Sequence, residues 1–591
     1  MVLSLLFLTA AAATTTAATL PTRSRIASLP GYSGGAPPTA HWTGFVEVDA
    51  ATQTTFFYYL VESASSPSTD PLVWWFNGGP GASSFAGLFA ENGPLLLNAS
   101  NQLTANPFGW NERANVLYVE FGPGIGYSFC ANSSRAGADA PCPQASGGCS
   151  PCHTSDGLLA EQNARLLTTL LGDKRYFPEL AGRDVYLAGE SYAGVYIPTL
   201  ARQMLKQRQP PPPYTLRGLW ATDPCTDNAA QSGWLDLGVS FAWQKGLIDK
   251  TTYEALTGPA CTAGRTKVGD RVRLTQTAAC RSAWRLYDLA TAGIGDAVHP
   301  APIAGLPMYI DPLSALGPSG GPDIEGWLGQ GDVRAALHAT GSPNAVYHLE
   351  LGNNGYPQYE LQFAACNDNA AAGAPSMVDV YREIVEMARA GDEGGGGGGG
   401  TSEGGGAAAA AAAGLRSVIV SSGDIDPVVD MHGTEVAVGK LGFAVATGGE
   451  RRPWFYNASG VAPAALAATP TAWGPALYAH GAGAQVGGFV TSYDAAPSLD
   501  FSFVAVRDSG HMVPAYAPLK AAHLLRKLLA PSAARTTRGV SAVAGGPLGL
   551  GLAPPLPTGW ANASDAAFYG GEKKAGLFAA WVNEAMAAPY A

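Results

Sequence analysis

The stretch DVYLAGESYAGVYIPTLARQ, residues 184–203, governs the reading of this chain. An apolar run enters Gly189, Glu190, Ser191, Tyr192, Ala193 and Gly194, and a helical pattern begins at once. Small residues on both sides of Ser191 permit the sharp strand-to-helix turn that exposes a side chain at a helix N-terminus. Ala193 stands where such turns more often carry Gly. A serine in a Gly-rich turn needs partners before it is a nucleophile.

Residues 72–76 (LVWWF), 115–119 (NVLYV), 415–420 (LRSVIV) and 501–506 (FSFVAV) are further short apolar runs like 184–188 (DVYLA). Such runs suit strands buried on both faces of a parallel sheet. Helical patterns lie between them, as at 156–171 and 192–206. The class implied is α/β, with a mostly parallel central sheet flanked by helices. Between about 226 and 350 the strand rhythm stops and sequences such as FAWQKGLIDKTTYEAL and WLGQGDVRAALHA take over. An insertion of that size is expected to form a helical cap. The core is then expected in two parts, 21–225 and 351–530. The second part carries a Gly/Ala-rich linker at 391–414, whose polymeric composition cannot build a packed core. From 531 to 591 a loosely ordered tail is expected.

The partners of Ser191 appear in the chain order Ser, Asp, His. VIVSSGDIDPVV supplies Asp424 and Asp426 at the C-terminal end of a run, and FVAVRDSGHMVPAYAP supplies His511 after the last one. Open α/β sheets place functional groups in such loops. His511 would take the Ser191 proton and Asp426 would hold the imidazole, with Asp424 better suited to a turn. His432, close after the acidic loop, and His523, inside an apolar helical pattern, are the weaker rival bases. A tetrahedral oxyanion needs two backbone donors, and the Gly-rich WWFNGGPGASS offers them. The amides of Gly79 and Tyr192 are the candidates.

Composition narrows the class further. The 591 residues carry 35 Lys plus Arg against 46 Asp plus Glu, a net charge of -11. No basic stripe appears, which argues against nucleic acid as a partner. Residues 2–13, VLSLLFLTAAAA, are too short to span a bilayer and are followed by small residues. A secretory signal peptide is expected over 1–20, with no membrane span elsewhere. Cysteines stand at 130, 142, 149, 152, 225, 261, 280 and 366. Their spacings lack paired CxxC units, which favours disulfides over a metal site. No metal or cofactor is called for. Asn98, Asn132, Asn457 and Asn562 begin Asn-x-Ser sequons, candidates for glycosylation in a secretory protein.

WWFNGGPGASS, ENGPLLLN, NPFGWNERANVLYVE, GESYAGVYIP, SSGDIDPVVD and GHMVPAYAP, in this order, resemble the serine carboxypeptidase family of α/β-hydrolases. The resemblance runs from about residue 40 to 530. It implies release of residues one at a time from peptide or protein C-termini, favoured at acid pH, in a secreted, vacuolar or lysosomal setting. It also implies that Trp75, Asn77, Glu91 and Glu190 bind the substrate's terminal carboxylate. Two acids facing a carboxylate require a shared proton.

Several departures from the family pattern stand out. Family members often have Cys where this chain has Ala82, paired with a Cys that Cys366 would match. Cys366 is therefore free or bonded elsewhere, with Cys225 one candidate; Cys261 with Cys280, and Cys130 with one of Cys142, Cys149 or Cys152, are the other expected pairs. EFGPGIGYS departs from the usual proline-alanine-glycine loop. Some relatives of the family pass the acyl group to an alcohol instead of water, and these tend to carry Asp before the nucleophile. Glu190 here, with Met512, Val513 and Pro514 after the histidine, favours the peptidase. A silent binding protein on the same scaffold would be expected to lack a triad member, and none is lacking.

Overall fold

The computed structural model describes residues 20–530 apart from 131–153, 208–210, 232–233, 263–276, 292–321, 345, 351–358, 368, 395–413, 427 and 458–483. The expected signal peptide, most of the Gly/Ala-rich linker, the tail, Asn132, Asn562, Cys142, Cys149 and Cys152 lie outside the described residues.

A twelve-stranded sheet organises the chain. Its strands are β1 (Ser24–Arg25), β2 (His41–Asp49), β3 (Thr54–Val61), β4 (Leu72–Phe76), β5 (Asn115–Glu120) and β6 (Arg183–Glu190). They continue as β7 (Tyr214–Thr222), β8 (Ser417–Gly423), β9 (Ala444–Val445), β10 (Arg452–Asn457), β11 (Ala484–Ala496) and β12 (Leu499–Val506). The order is β1-β2-β3-β5-β4-β6-β7-β8-β12-β11-β9, with β10 also on β11. The central run β5-β4-β6-β7-β8-β12 is parallel throughout. Antiparallel strands flank it on both sides. The α/β-hydrolase class read from the sequence is the fold observed.

Both faces of the central strands are buried, which explains why they read as continuous apolar runs. Against the sheet pack α1 (Phe85–Ala90), α2 (Asp156–Gly172), α3 (Ala193–Lys206), α7 (Met377–Gly394) and α8 (Pro518–Leu529), while α4 (Trp234–Gln244), α5 (Lys250–Thr257) and α6 (Ala278–Thr291) lie apart. In β4, Leu72, Trp74 and Phe76 enter a core shared with α2, α3 and α7. Val73 and Trp75 enter the opposite core, with α1 and α8. The alternation is the two-residue period of a strand. Ser155 starts α2 by accepting a hydrogen bond from the Leu158 amide.

The stretch 226–350, expected as one insertion, packs in two ways. Val239, Ala242, Ile248, Leu256, Trp284 and Tyr287, from α4 to α6, form a small cluster of their own, joined by the Cys261–Cys280 disulfide. Ile324, Trp327, Leu328, Val333, Leu337 and Tyr347 instead belong to the main core beside α1. Trp327 meets Phe89 edge-on at 4.9 Å between ring centroids. The helical pattern alone does not tell which of the two surfaces an amphipathic segment covers. A second disulfide, Cys225–Cys366, ties the loop after β7 to the segment before α7. Cys130 is disulfide-bonded too, to a partner outside the described residues. Among the described residues no helix is long and apolar enough to cross a membrane.

Candidate active site

The carboxyl ends of β4, β6, β7, β8 and β12 converge on one region. Strand β6 delivers Glu190 and then Ser191, whose φ of +61° lies in the left-handed region where non-glycine residues are strained. Hydrogen bonds hold it there. The Ser191 amide donates to Thr222 O at 3.1 Å, and Ser191 O accepts from the amides of Gly194 (2.8 Å) and Cys225 (2.9 Å). Gly189 is obligatory for a steric reason, since a Cβ there would sit 2.3 Å from Phe76 O of the neighbouring β4. The same closeness brings the Gly-rich loop onto the turn. A Cβ on Gly78 would lie 2.5 Å from Tyr192 N and 2.7 Å from Ser191 Cβ. Among the described residues, neither the Gly79 nor the Tyr192 amide has a protein acceptor.

His511 follows β12 and meets Asp426, which follows β8. Its Nδ1 lies 2.8 Å from Asp426 Oδ2, with both residues almost fully buried. Asp426 is fixed by its own loop, since Oδ1 accepts from the Val428 amide at 2.7 Å and Oδ2 from the Val429 amide at 3.2 Å. The rivals are placed elsewhere. Asp424 Oδ1 accepts from the Asp508 amide at 2.7 Å, a bond across 84 positions that ties two loops together and not a turn of its own. His432 is exposed and contacts Gln244 Oε1 at 3.1 Å. His523 stacks on Trp454 in α8, and burial pushes it down to about 3.

Beside Ser191 lies a buried acid cluster. Asn77 Nδ2 donates to Glu91 Oε1 at 2.8 Å and to Glu190 Oε1 at 2.9 Å, and so bridges them. Its Oδ1 accepts from Trp75 Nε1 and from the Gly87 amide, both at 2.9 Å. These contacts fix the amide orientation: oxygen toward the two N–H groups, nitrogen toward the two carboxyls. Among the described residues the remaining oxygens, Glu91 Oε2 and Glu190 Oε2, have no other partner. A proton held between the two carboxyls would satisfy both. Burial raises Glu91 to about 7. Burial and then the adjacent Glu91 hold Glu190 well above the ordinary carboxylate range.

One residue at this site was not singled out in the sequence. Asp223, the residue after β7, is fully buried with φ of +46°. It lies beside Asp426 and His511, with side-chain atoms of all three within 4.8 Å of one another. The signal was weak: GLWAT, residues 218–222, is a short apolar run closed by an acid, as is the run before Asp424, but Arg217 interrupts it just upstream. Of the sequon residues, Asn98 is exposed in a turn that its own Oδ1 supports.

The buried acids also set how stability responds to pH. Glu120, which accepts from Ser83, Tyr347 and the Tyr127 amide, is raised to about 8 by burial. With Glu91, it keeps protons that an unfolded chain releases near 4.5, so stability falls as pH rises toward the folded values. His41 and His523, pushed down to about 3 by burial, work in the opposite sense only below about 6.5. Lys520, lowered to about 8 by burial, does so only above that value. The melting temperature should therefore drop between pH 6.5 and 8, and Glu120→Gln should remove part of the drop. Each retained proton is worth about 1.4 kcal/mol per pH unit. Calorimetry that finds Tm rising across this window would contradict the assignment.

With this geometry in hand, the comparisons with known proteins are specific. The sequence model of the serine carboxypeptidase family matches residues 30–366 and 408–531. The chain is similar to "Serine carboxypeptidase-like 36" of Arabidopsis thaliana, 26% identical over 495 residues, covering 82% of each chain. It is also similar to "Serine carboxypeptidase 1" of Hordeum vulgare, 33% identical over 242 residues, which cover 40% of this chain and 44% of that one. Among solved structures, a prohormone-processing carboxypeptidase of Saccharomyces cerevisiae, Kex1(delta)p, superposes with a TM-score of 0.55. That match covers 85% of this chain and 94% of the yeast chain at 18% identity, and speaks for the fold.

Proposed function

Since the chain belongs to the serine carboxypeptidase family, we propose that it is a serine-type carboxypeptidase, favoured at acid pH, acting through an acyl-enzyme on Ser191. The observation that carries this reading is the Asn77 amide bridging Glu91 and Glu190 immediately before Ser191. Acyl transfer by itself needs no such pair. A terminal carboxylate does, because on entering it would take over the proton that the pair holds and an Asn77 N–H now given to a glutamate.

The remaining residues take roles that their contacts support. Asp426 accepts from His511 Nδ1–H, which leaves Nε2 as the base. Nε2 takes the Ser191 hydroxyl proton as Oγ bonds to the scissile carbonyl carbon. The oxyanion is received by the Gly79 and Tyr192 amides, whose donors are unspent. His511 then returns the proton to the departing amine, the C–N bond breaks, and water repeats the sequence to release the acid. Trp75 acts through Asn77, keeping its amide nitrogen turned to the glutamates. The compartment proposed is the secretory pathway, secreted or vacuolar/lysosomal, in keeping with the disulfides.

N-blocked dipeptides with free and amidated C-termini, compared at acid pH, test the proposal. Amidation removes the carboxylate, and kcat/KM should fall by at least about tenfold. Equal cleavage of the two would refute the exopeptidase reading. Transfer of the acyl group to an alcohol in preference to water would point to the acyltransferase chemistry instead.

A further inference from the structure

Asp223 has no part in the chemistry above, yet its position is costly. A carboxyl with no exposed surface on a left-handed backbone is strained and desolvated at once. The surroundings hold it firmly. Oδ1 accepts from the Gly423 amide at 2.7 Å and from Ser422 Oγ at 3.0 Å, Oδ2 accepts from Thr222 Oγ1 at 2.9 Å, and its own amide donates to Ser421 O at 2.7 Å. These contacts lock the residue between the ends of β7 and β8 and turn it toward Asp426.

We propose that Asp223 is a positioning residue for the triad: a buried carboxylic acid that donates its proton to Asp426, and so limits how strongly Asp426 draws a proton onto His511. This rests on the roles given to Ser191, His511 and Asp426 above. Two carboxyls in contact cannot both be charged without a large penalty, so one proton stays between them. The division is set by the neighbours. Asp426 already accepts two backbone amides and His511, whereas burial and then Asp426 itself hold Asp223 well above the ordinary carboxylate range. Glu190, from the end of β6, faces Asp223 as a further acid, with Glu91 behind it, and Asp430 acts on Asp426 from the far side. Burial of Asp223 and the hydrogen bonds donated to Asp426 favour the proton on Asp223, whereas a charge on Asp430 works against this by disfavouring an ionised Asp426.

A hydrogen bond donated to Asp426 withdraws negative charge from the atom that stabilises the imidazolium. His511 then stays neutral, and able to act as a base, further into the acid range. The inference extends to activity at acid pH: the carboxylate pair governs binding there, and Asp223 keeps the base available.

The test reads the base without a peptide substrate. A fluorophosphonate forms an O–P bond to Ser191 Oγ with loss of fluoride, and the hydroxyl proton passes to His511. Its rate against pH is measured for wild type, Asp223→Asn and Asp223→Ala. Asn keeps a carbonyl for Gly423 and Ser422 and an N–H for Asp426, so its acid limb should stay within about 0.3 unit of wild type. Ala has no donor, and its limb should move up by about one unit, a roughly tenfold loss of rate at a pH on the limb. Should Asp223→Ala fail to fold, Asp223→Ser, too short to reach Asp426, carries the same expectation.

Superimposed limbs in all variants would overturn the proposal, as would a lowered plateau with an unmoved limb. An Asn limb displaced as far as that of Ala would overturn it too, since the donated hydrogen bond would then not be the cause. Wild type that fails to label would remove Ser191 itself, and this proposal with it, an outcome distinct from labelling whose limb does not move.

Discussion

Replacing Ser191 with Ala should lower turnover of a good peptide substrate by about 10³-fold or more, with the melting temperature little changed. The size of the loss follows from the chemistry: without Oγ no acyl-enzyme forms, and only positioning and the backbone donors remain to assist water. The small structural effect follows from the environment. The turn is held by main-chain bonds to Thr222, Gly194 and Cys225, none of which uses the side chain. The φ of +61° costs Ala about as much as Ser. Steady-state rates of the purified, folded variant check this. Near-normal turnover would remove Ser191 from the mechanism, and loss of folding would show that the hydroxyl has a structural duty.

What the sequence discloses follows from burial. LVWWF and NVLYV are strands covered on both faces, so no polar residue interrupts them and their limits can be read directly. The strand Tyr214–Thr222 is equally central but harder to see. Arg217 interrupts it to pair with Asp184, and Gly218 lies at a register shift. Asp223 was overlooked along with the strand it ends. The antiparallel strands His41–Asp49 and Thr54–Val61 were missed for another reason: their aromatic and β-branched residues alternate between two cores, so neither a polar face nor an aliphatic run marks them.

At the candidate site, the residues that stood out were those in dense Gly-rich or acidic motifs. Asp426 and His511 are brought together across 85 positions, and Asn77 and Glu190 across 113. Such pairings rest on strand order, which the residues alone do not encode locally. Cys225–Cys366 is of the same kind, a bond over 141 positions that closes only after β7 and the segment before α7 are in place. The second carboxyl pair is the feature least accessible from sequence, because an acid after a strand is common and its meaning depends on meeting another.

KM for peptides should rise with pH above about 7, approaching about tenfold per pH unit once the last proton of the Glu91–Glu190 pair is gone. The cause is the proton shared by Glu91 and Glu190, with burial holding Glu91 at about 7 and Glu190 higher still. While the proton is present, the pair can accept a substrate carboxylate as a third acid with a donor in hand. Once it is lost, a second negative charge faces the substrate inside a region of low dielectric, and binding weakens. At the other extreme, a protonated histidine cannot act as base, so activity also falls at low pH and the profile is bell-shaped. The double substitution Glu91→Gln, Glu190→Gln supplies neutral N–H donors that do not titrate. It should bind peptides more weakly at acid pH, and its KM should stay nearly flat where that of wild type climbs. Measuring KM separately from kcat across pH isolates this effect from the titration of the base. Parallel KM curves for the two enzymes would rule out the shared proton, while leaving Ser191, Asp426 and His511 to be judged on the loss at Ser191 alone.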